Sequence, residues 1–217
     1  MIITIDGPAG SGKSTVAKRL AERLSIRFLD TGAMYRAIAL AVLQARVRPD
    51  DCRDVAAVAQ NCRIDLSAGG VLLNGSNVTT AIREPDVTTV ASIIAANPMV
   101  RQRLVAMQQA IGAAGAIVTE GRDQGTVVFP DAPYKFFLTA SLAARAARRL
   151  AELQNKTQPQ SLKDVMDQIR LRDERDEQRA TAPMKPASDA IIVDTSSMTI
   201  DDVVQFLFEK VVSDSAR

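Results

Sequence analysis

An apolar strand that runs straight into Gly-x-x-x-x-Gly-Lys-Ser leaves a chain few folds to choose from. Residues 2–15 read Ile-Ile-Thr-Ile-Asp-Gly-Pro-Ala-Gly-Ser-Gly-Lys-Ser-Thr, and a helical pattern with Val16, Leu20 and Leu24 on one face follows. Strand, glycine loop and helix form the setting that a phosphate-cradling P-loop requires. Gly7, Gly10 and Gly12 let the backbone turn sharply and bring its N–H groups close to a β-phosphate. The N-terminus of the next helix adds partial positive charge. Lys13 is the expected partner of the β- and γ-phosphates, and the Ser14 hydroxyl is the expected Mg²⁺ ligand. The stretch Gly7, Pro8, Ala9, Gly10, Ser11, Gly12, Lys13, Ser14 and Thr15 is thus the expected seat of a nucleoside triphosphate.

Strand and helix patterns alternate along most of the 217 residues. Strands are expected at 1–6, 27–30, 116–120, 134–138 and 190–194, and helices at 13–24, 32–45, 51–61, 84–96, 98–114, 141–154, 162–180 and 199–212. Five core strands alternating with helices argue for a parallel, doubly wound α/β sheet. The texture changes at 62–80, where short strand patterns surround Ala68-Gly69-Gly70 and the hairpin signal Asn74-Gly75. This antiparallel piece reads as an insertion. Asn97-Pro98 supplies a cap and a first helical position, and 154–161 is polar and expected to be mobile.

Composition removes several chemistries. The chain has no histidine, so imidazole acid–base catalysis and His-ligated metals are excluded. Cys52 and Cys62 read as free thiols packed in or near the core. The net charge of +2 implies no general polyanion-binding field, although arginine is concentrated in 145–179; a local anion site is expected rather than a nucleic-acid surface. The P-loop strand begins at the N-terminus, which leaves no room for a signal peptide, and no run approaches eighteen apolar residues. The expectation is a soluble, cytoplasmic protein without a membrane span.

Three further constellations suggest what the nucleotide is used for. Leu29-Asp30-Thr31-Gly32-Ala33-Met34-Tyr35-Arg36 follows the second strand, at the edge where open α/β sheets bind ligands. Thr31 suits a phosphate or a helix N-cap; Arg36 suits a bidentate phosphate clamp or a solvated surface. Glu120-Gly121-Arg122-Asp123-Gln124-Gly125 sits at the end of the third core strand. It reads either as a ligand loop, with Glu120 near phosphates or Mg²⁺, or as a tight turn stabilised by an Arg–Asp pair. Arg172, Arg175 and Arg179 step by three and four along one helix, with Asp176 flanking them. Like charges so stacked need a bridging anion, supplied by neighbouring acidic residues or by phosphates under a closing lid.

Taken together, these pieces resemble the bacterial cytidylate kinases, which phosphorylate CMP and dCMP. The likeness rests on Ile5-Asp6-Gly7-Pro8 with the P-loop, on 29–36, on Gly121-Arg122-Asp123-Gln124-Gly125-Thr126-Val127-Val128-Phe129, and on Arg172-Asp173-Glu174-Arg175-Asp176 with Arg179 and Ala182-Pro183. It covers essentially the whole chain. It implies a P-loop NTPase fold: a five-stranded parallel sheet flanked by helices, a small antiparallel NMP-binding insertion at 62–96, a core of 1–61 and 97–217, and a helical lid at about 155–182. It also implies ATP as phosphoryl donor, Mg²⁺ as cofactor, CMP or dCMP as acceptor, no nucleic-acid or membrane partner, and a monomer. By the same resemblance Lys13, Arg122, Arg172 and Arg179 are catalytic. Arg36, Arg122 and Arg179 hold the acceptor phosphate with Thr31, where relatives often carry Ser. Ser92, Arg101 and Asp123 read cytosine, and Arg172 and Asp176 contact ribose or close with the lid. Glu120 stands where relatives often have Asp. Two other readings share the P-loop: a kinase for UMP, shikimate or dephospho-coenzyme A, which would not need Ser92, Arg101 and Asp123, and a nucleotide-dependent switch. The absence of a guanine-reading Asn-Lys-x-Asp argues against the switch.

Overall fold

A computed structural model describes residues 1–67, 70–153 and 161–215. The chain forms two compact units, one of Met1–Leu29 with 114–217 and one of Asp30–Ala113.

The first unit is built on a five-stranded sheet in the order β2-β6-β1-β7-β8. Its strands are β1 (Ile2–Asp6), β2 (Arg27–Asp30), β6 (Ile117–Gly121), β7 (Tyr134–Thr139) and β8 (Ile191–Asp194). The central strand β1 runs parallel to both β6 and β7. Its near-continuous apolar run suits a strand covered on both faces, and Ile3 and Ile5 are fully buried. Helices α1 (Lys13–Leu24) and α8 (Ile200–Ser215) contribute Val16, Leu20, Val204 and Leu207 to the core around Phe136 and Leu138. The Arg23 guanidinium lies 3.9 Å from the centre of the Phe208 ring, a cation–π contact that ties α1 to α8. Helices α6 (Leu142–Leu153) and α7 (Leu162–Glu177) pack through Ala146, Val165 and Ile169. Ser161 and Asp164 close a capping box that starts α7. Residues 154–160, the polar segment expected to be mobile, lie outside the described residues, and so does the start of the expected lid.

The second unit holds α2 (Thr31–Gln44), α3 (Cys52–Asn61), α4 (Pro85–Ile94), α5 (Pro98–Ala113) and an antiparallel sheet of β3 (Ile64–Ser67), β4 (Gly70–Leu73) and β5 (Ser76–Asn77). The 62–96 segment lies within it, together with 30–61 and 97–113. Asn74 and Gly75 take φ of 51° and 85°, the left-handed pair that a two-residue hairpin turn needs. The helix expected at 84–96 is present as α4, preceded by a separate short turn. Pro85 forces Glu84 into an extended conformation (ψ 147°), so a 3₁₀ turn at Ala81–Arg83 ends before α4 begins. Cys62 is buried as expected, whereas Cys52 is exposed at the start of α3. Among the described residues no helix is long and apolar enough to cross a membrane.

Candidate functional site

In the first unit the parallel pairing of β1 with β6 sets Ile5 beside Glu120 and Asp6 beside Gly121, so the loops that follow both strands leave the same sheet edge. The first loop is the glycine-rich one. Gly7 has φ 146°, and a Cβ there would stand 2.1 Å from the Leu138 carbonyl oxygen, so only glycine passes this close to β7. Gly12, also left-handed (φ 85°), hands the chain into α1. A Gly7→Ala change is therefore expected to destabilise the fold by about 2 kcal/mol or more and to abolish polyphosphate binding, as read by thermal melting with and without pyrophosphate.

Lys13 folds back over this loop, and its Nζ donates to the Pro8 carbonyl at 2.9 Å. Only 5% of its surface is exposed. Burial, aided by Arg122 and Arg172 and opposed by Glu120 and Asp176, lowers the pKa of its ammonium to about 7. In the first turn of α1, the Ser14 hydroxyl donates to Glu120 Oε1 at 3.0 Å. A hydroxyl beside a carboxylate is an all-oxygen donor set, the type that Mg²⁺ prefers.

The second loop is not the turn held by an Arg122–Asp123 pair that the sequence allowed. Residues Gln124–Val128 form a single π-helical turn. The buried Asp6 carboxylate anchors it, accepting from the backbone N–H groups of Gln124 at 2.9 Å and Gly125 at 2.8 Å. Burial pushes Asp6 up to about 7 against these hydrogen bonds. Arg122 instead reaches α7, where its Nε donates to Asp176 Oδ2 at 2.8 Å. Arg179, just past the end of α7, lies 3.7 Å from the other Asp176 oxygen. Burial would raise the Asp176 carboxyl, but Arg122, Arg179 and Arg172 outweigh it and hold the group below its ordinary range. Three guanidiniums thus gather on one carboxylate, a net positive cluster fit for an anion. Arg175, which the spacing put on the same face, points outward and is exposed. Asp123 is buried, with 5% of its surface exposed.

The second unit carries the remaining candidates. The N-cap of α2 is Asp30, not Thr31: its carboxylate accepts from Ala33 N at 2.7 Å. The same carboxylate orients Arg36 through contacts of 3.1 and 3.2 Å and takes a second cation, Arg83, at 3.0 Å. Thr31, in the first turn of α2, is buried. Ser92 on α4 is 8% exposed, and its hydroxyl makes no hydrogen bond among the described residues. A buried polar atom left unsatisfied is costly, so it marks a place where a ligand group belongs. Arg101 on α5 is 3% exposed, and its Nη1 donates to the Tyr35 hydroxyl at 3.3 Å. Thr31, Arg36, Ser92 and Arg101 therefore belong to one unit, and Arg122, Asp123, Arg172, Asp176 and Arg179 to the other.

The family model for cytidylate kinase matches residues 3–213. The chain belongs to the cytidylate kinase family. A cytidylate kinase of Caldanaerobacter subterraneus subsp. tengcongensis is 44% identical over 209 residues, covering 96% of this chain and 93% of that protein. One from Desulfitobacterium hafniense is 46% identical over 205 residues, covering 93% and 88%. A bifunctional pantoate ligase/cytidylate kinase of Acaryochloris marina is 46% identical over 211 residues; 94% of this chain matches, but it spans only 40% of that relative's length. In fold, the chain is similar to the crystal structure of an uncharacterized protein from Eubacterium ventriosum ATCC 27560, with a TM-score of 0.53 at 15% identity over 98% of both chains.

Four side chains that shape this site carried no assigned role in the sequence. Asp6 holds the π-turn, Asp173 and Arg145 hold the phosphate loop, and Arg83 joins Arg36 on Asp30. Asp6 had one local signal, a carboxylate at the end of an otherwise apolar strand. Asp173 and Arg145 lie in the arginine-rich 145–179 stretch, but nothing there pointed to the phosphate loop, and Arg83 had no signal.

Proposed function

We propose that this cytidylate kinase family member transfers the γ-phosphoryl group of ATP to CMP or dCMP, giving ADP and CDP or dCDP. The observation that carries this reading is the common charge cluster of Lys13 with Arg122 and Arg172. Cationic groups for a donor and for an acceptor phosphate lie close enough to perturb one another, as direct transfer between two phosphates requires.

In this reading the backbone of Gly7–Thr15 cradles the triphosphate and Lys13 neutralises its β- and γ-phosphates. Ser14 and Glu120 are the residues to hold Mg²⁺, which when bound supplies charge neutralisation on the donor phosphates. Arg36, Arg122 and Arg179, with Thr31, hold the acceptor phosphate. That phosphate has a second pKa near ~6 and is largely a dianion at neutral pH, so it attacks without a general base. A chain without histidine suits this chemistry. Asp123 accepts from the cytosine N4 amino group, while Arg101 and Ser92 donate to N3 and O2. Uracil reverses the pattern at positions 3 and 4 and leaves buried groups unpaired, the strong route to discrimination. Arg172 and Asp176 close on the ribose side and, with Arg122 and Arg179, exclude water that would otherwise consume ATP. The working form is a monomer in the cytoplasm.

The test is ADP release from ATP and Mg²⁺ with CMP, dCMP, UMP, AMP and GMP in turn, and with no acceptor. Turnover confined to CMP and dCMP, with at most weak UMP, is expected. Turnover on a different acceptor overturns the base-reading assignment, and equal ADP release without acceptor overturns the kinase reading.

The lowered Lys13 pKa gives a further expected result. A triphosphate beside the ammonium favours its charged form, so ATP binding at pH 8 takes up a proton at Lys13. Calorimetric titration in two buffers of different ionisation enthalpy measures this uptake, and Lys13→Met removes it. The sign also fixes a stability trend for the nucleotide-free protein. The folded-state pKa is below the unfolded one, so this contribution rises with pH between about 7 and 10.5 and is lost as pH falls through 7.

A further inference from the structure

Phosphate loops are held by their own backbone turns, yet this one is also gripped from outside. The Ala9 N–H donates to Asp173 Oδ1 at 3.0 Å, and the Ala9 carbonyl accepts from Arg145 Nη1 at 3.0 Å. Arg145 Nη1 also pairs with Asp173 Oδ2, and Arg145 Nε donates to the Ala140 carbonyl at 3.0 Å. Asp173 and Arg145 are 7% and 9% exposed. The loop rests directly on α6 here, because a Cβ on Gly10 would meet the Arg145 backbone oxygen at 3.1 Å and its Cβ at 3.2 Å. Both sides of the Ala9 residue are thereby fixed by a buried ion pair.

The two partners come from different places. Arg145 belongs to α6, whereas Asp173 belongs to α7, one residue after Arg172 and three before Asp176. Helix α7 therefore cannot shift against the phosphate loop without breaking the Asp173–Ala9 bond and leaving a buried carboxylate and a buried guanidinium without each other.

We infer that Asp173 and Arg145 form a clamp that fixes the donor-phosphate loop in register with the arginine helix, and that both are positioning residues for phosphoryl transfer. This rests on the function proposed above. Lys13 stands on the loop side of the clamp and Arg172 and Asp176 on the helix side, so the clamp sets the alignment of donor and acceptor charges. It contributes to the transition state more than to the binding of either substrate, because a small misplacement of reacting groups lowers rate far more than affinity.

The test measures kcat and both KM values for Asp173→Ala, Asp173→Asn and Arg145→Met, with a thermal melt of each. Asp173→Ala is expected to lower kcat about 100-fold while the KM for ATP and for the acceptor each stay within about threefold. Asp173→Asn keeps an oxygen for the Ala9 N–H and is expected to recover about tenfold of that loss. A lower melting temperature with unchanged kcat, or a loss confined to KM, overturns the proposal. If Asp173→Ala does not fold, Asp173→Asn and Arg145→Met decide the matter: a kcat lowered about tenfold at unchanged KM supports the clamp, and wild-type kcat in both overturns it. The acceptor used is whichever one the wild-type chain phosphorylates, so failure of the functional reading shows in the wild type alone and failure of the clamp only in the variants.

Discussion

Lys13→Ala is expected to lower turnover by about 10³-fold, a loss of roughly 4 kcal/mol in transition-state stabilisation, while the Kd for CMP changes by less than about threefold. The ammonium is buried and held over the phosphate loop by the Pro8 carbonyl. Charge builds on the transferring phosphoryl group in the transition state, and in a site shielded from water a preorganised cation acts there at close to full strength. The proposed readers of the acceptor are other side chains, so acceptor binding survives. Steady-state kinetics with saturating ATP, alongside calorimetric CMP titration, separates the two effects. Turnover within tenfold of wild type would remove Lys13 from the mechanism.

The second large effect is on selectivity. Asp123→Ala is expected to reduce the preference for CMP over UMP by about 100-fold and to leave the KM for ATP within about threefold. A buried carboxylate can accept from the cytosine amino group but faces a carbonyl in uracil. The carboxylate facing that carbonyl is the larger part of the discrimination, so removing it helps UMP as well as hindering CMP. The ratio of kcat/KM for the two acceptors, measured in the variant and in the wild type, checks this; an unchanged ratio means that another group reads the base.

Much of this architecture is legible in the sequence because its determinants are local. The P-loop, the apolar core strands and the Asn74-Gly75 turn each depend on neighbours within a few residues, and the structure has them at the expected positions. The start of α4 was legible too, since a proline restricts the residue before it and suits the first helical position. The π-turn at 124–128 was not legible: its anchor is Asp6, more than a hundred residues away in sequence. The same holds for Asp173 on Ala9, a pairing of two chain segments that no spacing rule connects.

The candidate base readers are an intermediate case. Ser92 and Arg101 entered through resemblance, yet each carried a physical signal. Ser92 interrupts the buried stripe of Val87, Val90, Ala91 and Ile94 on α4, and Arg101 interrupts that of Val100, Leu104 and Gln108 on α5. A polar or charged residue on the buried face of an amphipathic helix is expensive without a partner, so such positions merit a functional reading. Arg175 shows the opposite error. Helical spacing alone put it with Arg172 and Arg179, but Asp173 and Asp176 are the residues that α7 buries there, and Arg175 faces outward.

The most direct test of the central claim is a ³¹P NMR record of ATP, Mg²⁺ and CMP incubated with the wild-type chain. The account predicts ADP and CDP in equal amounts, with no more inorganic phosphate than in an enzyme-free control. ADP accompanied by inorganic phosphate, with CMP unchanged, would contradict it.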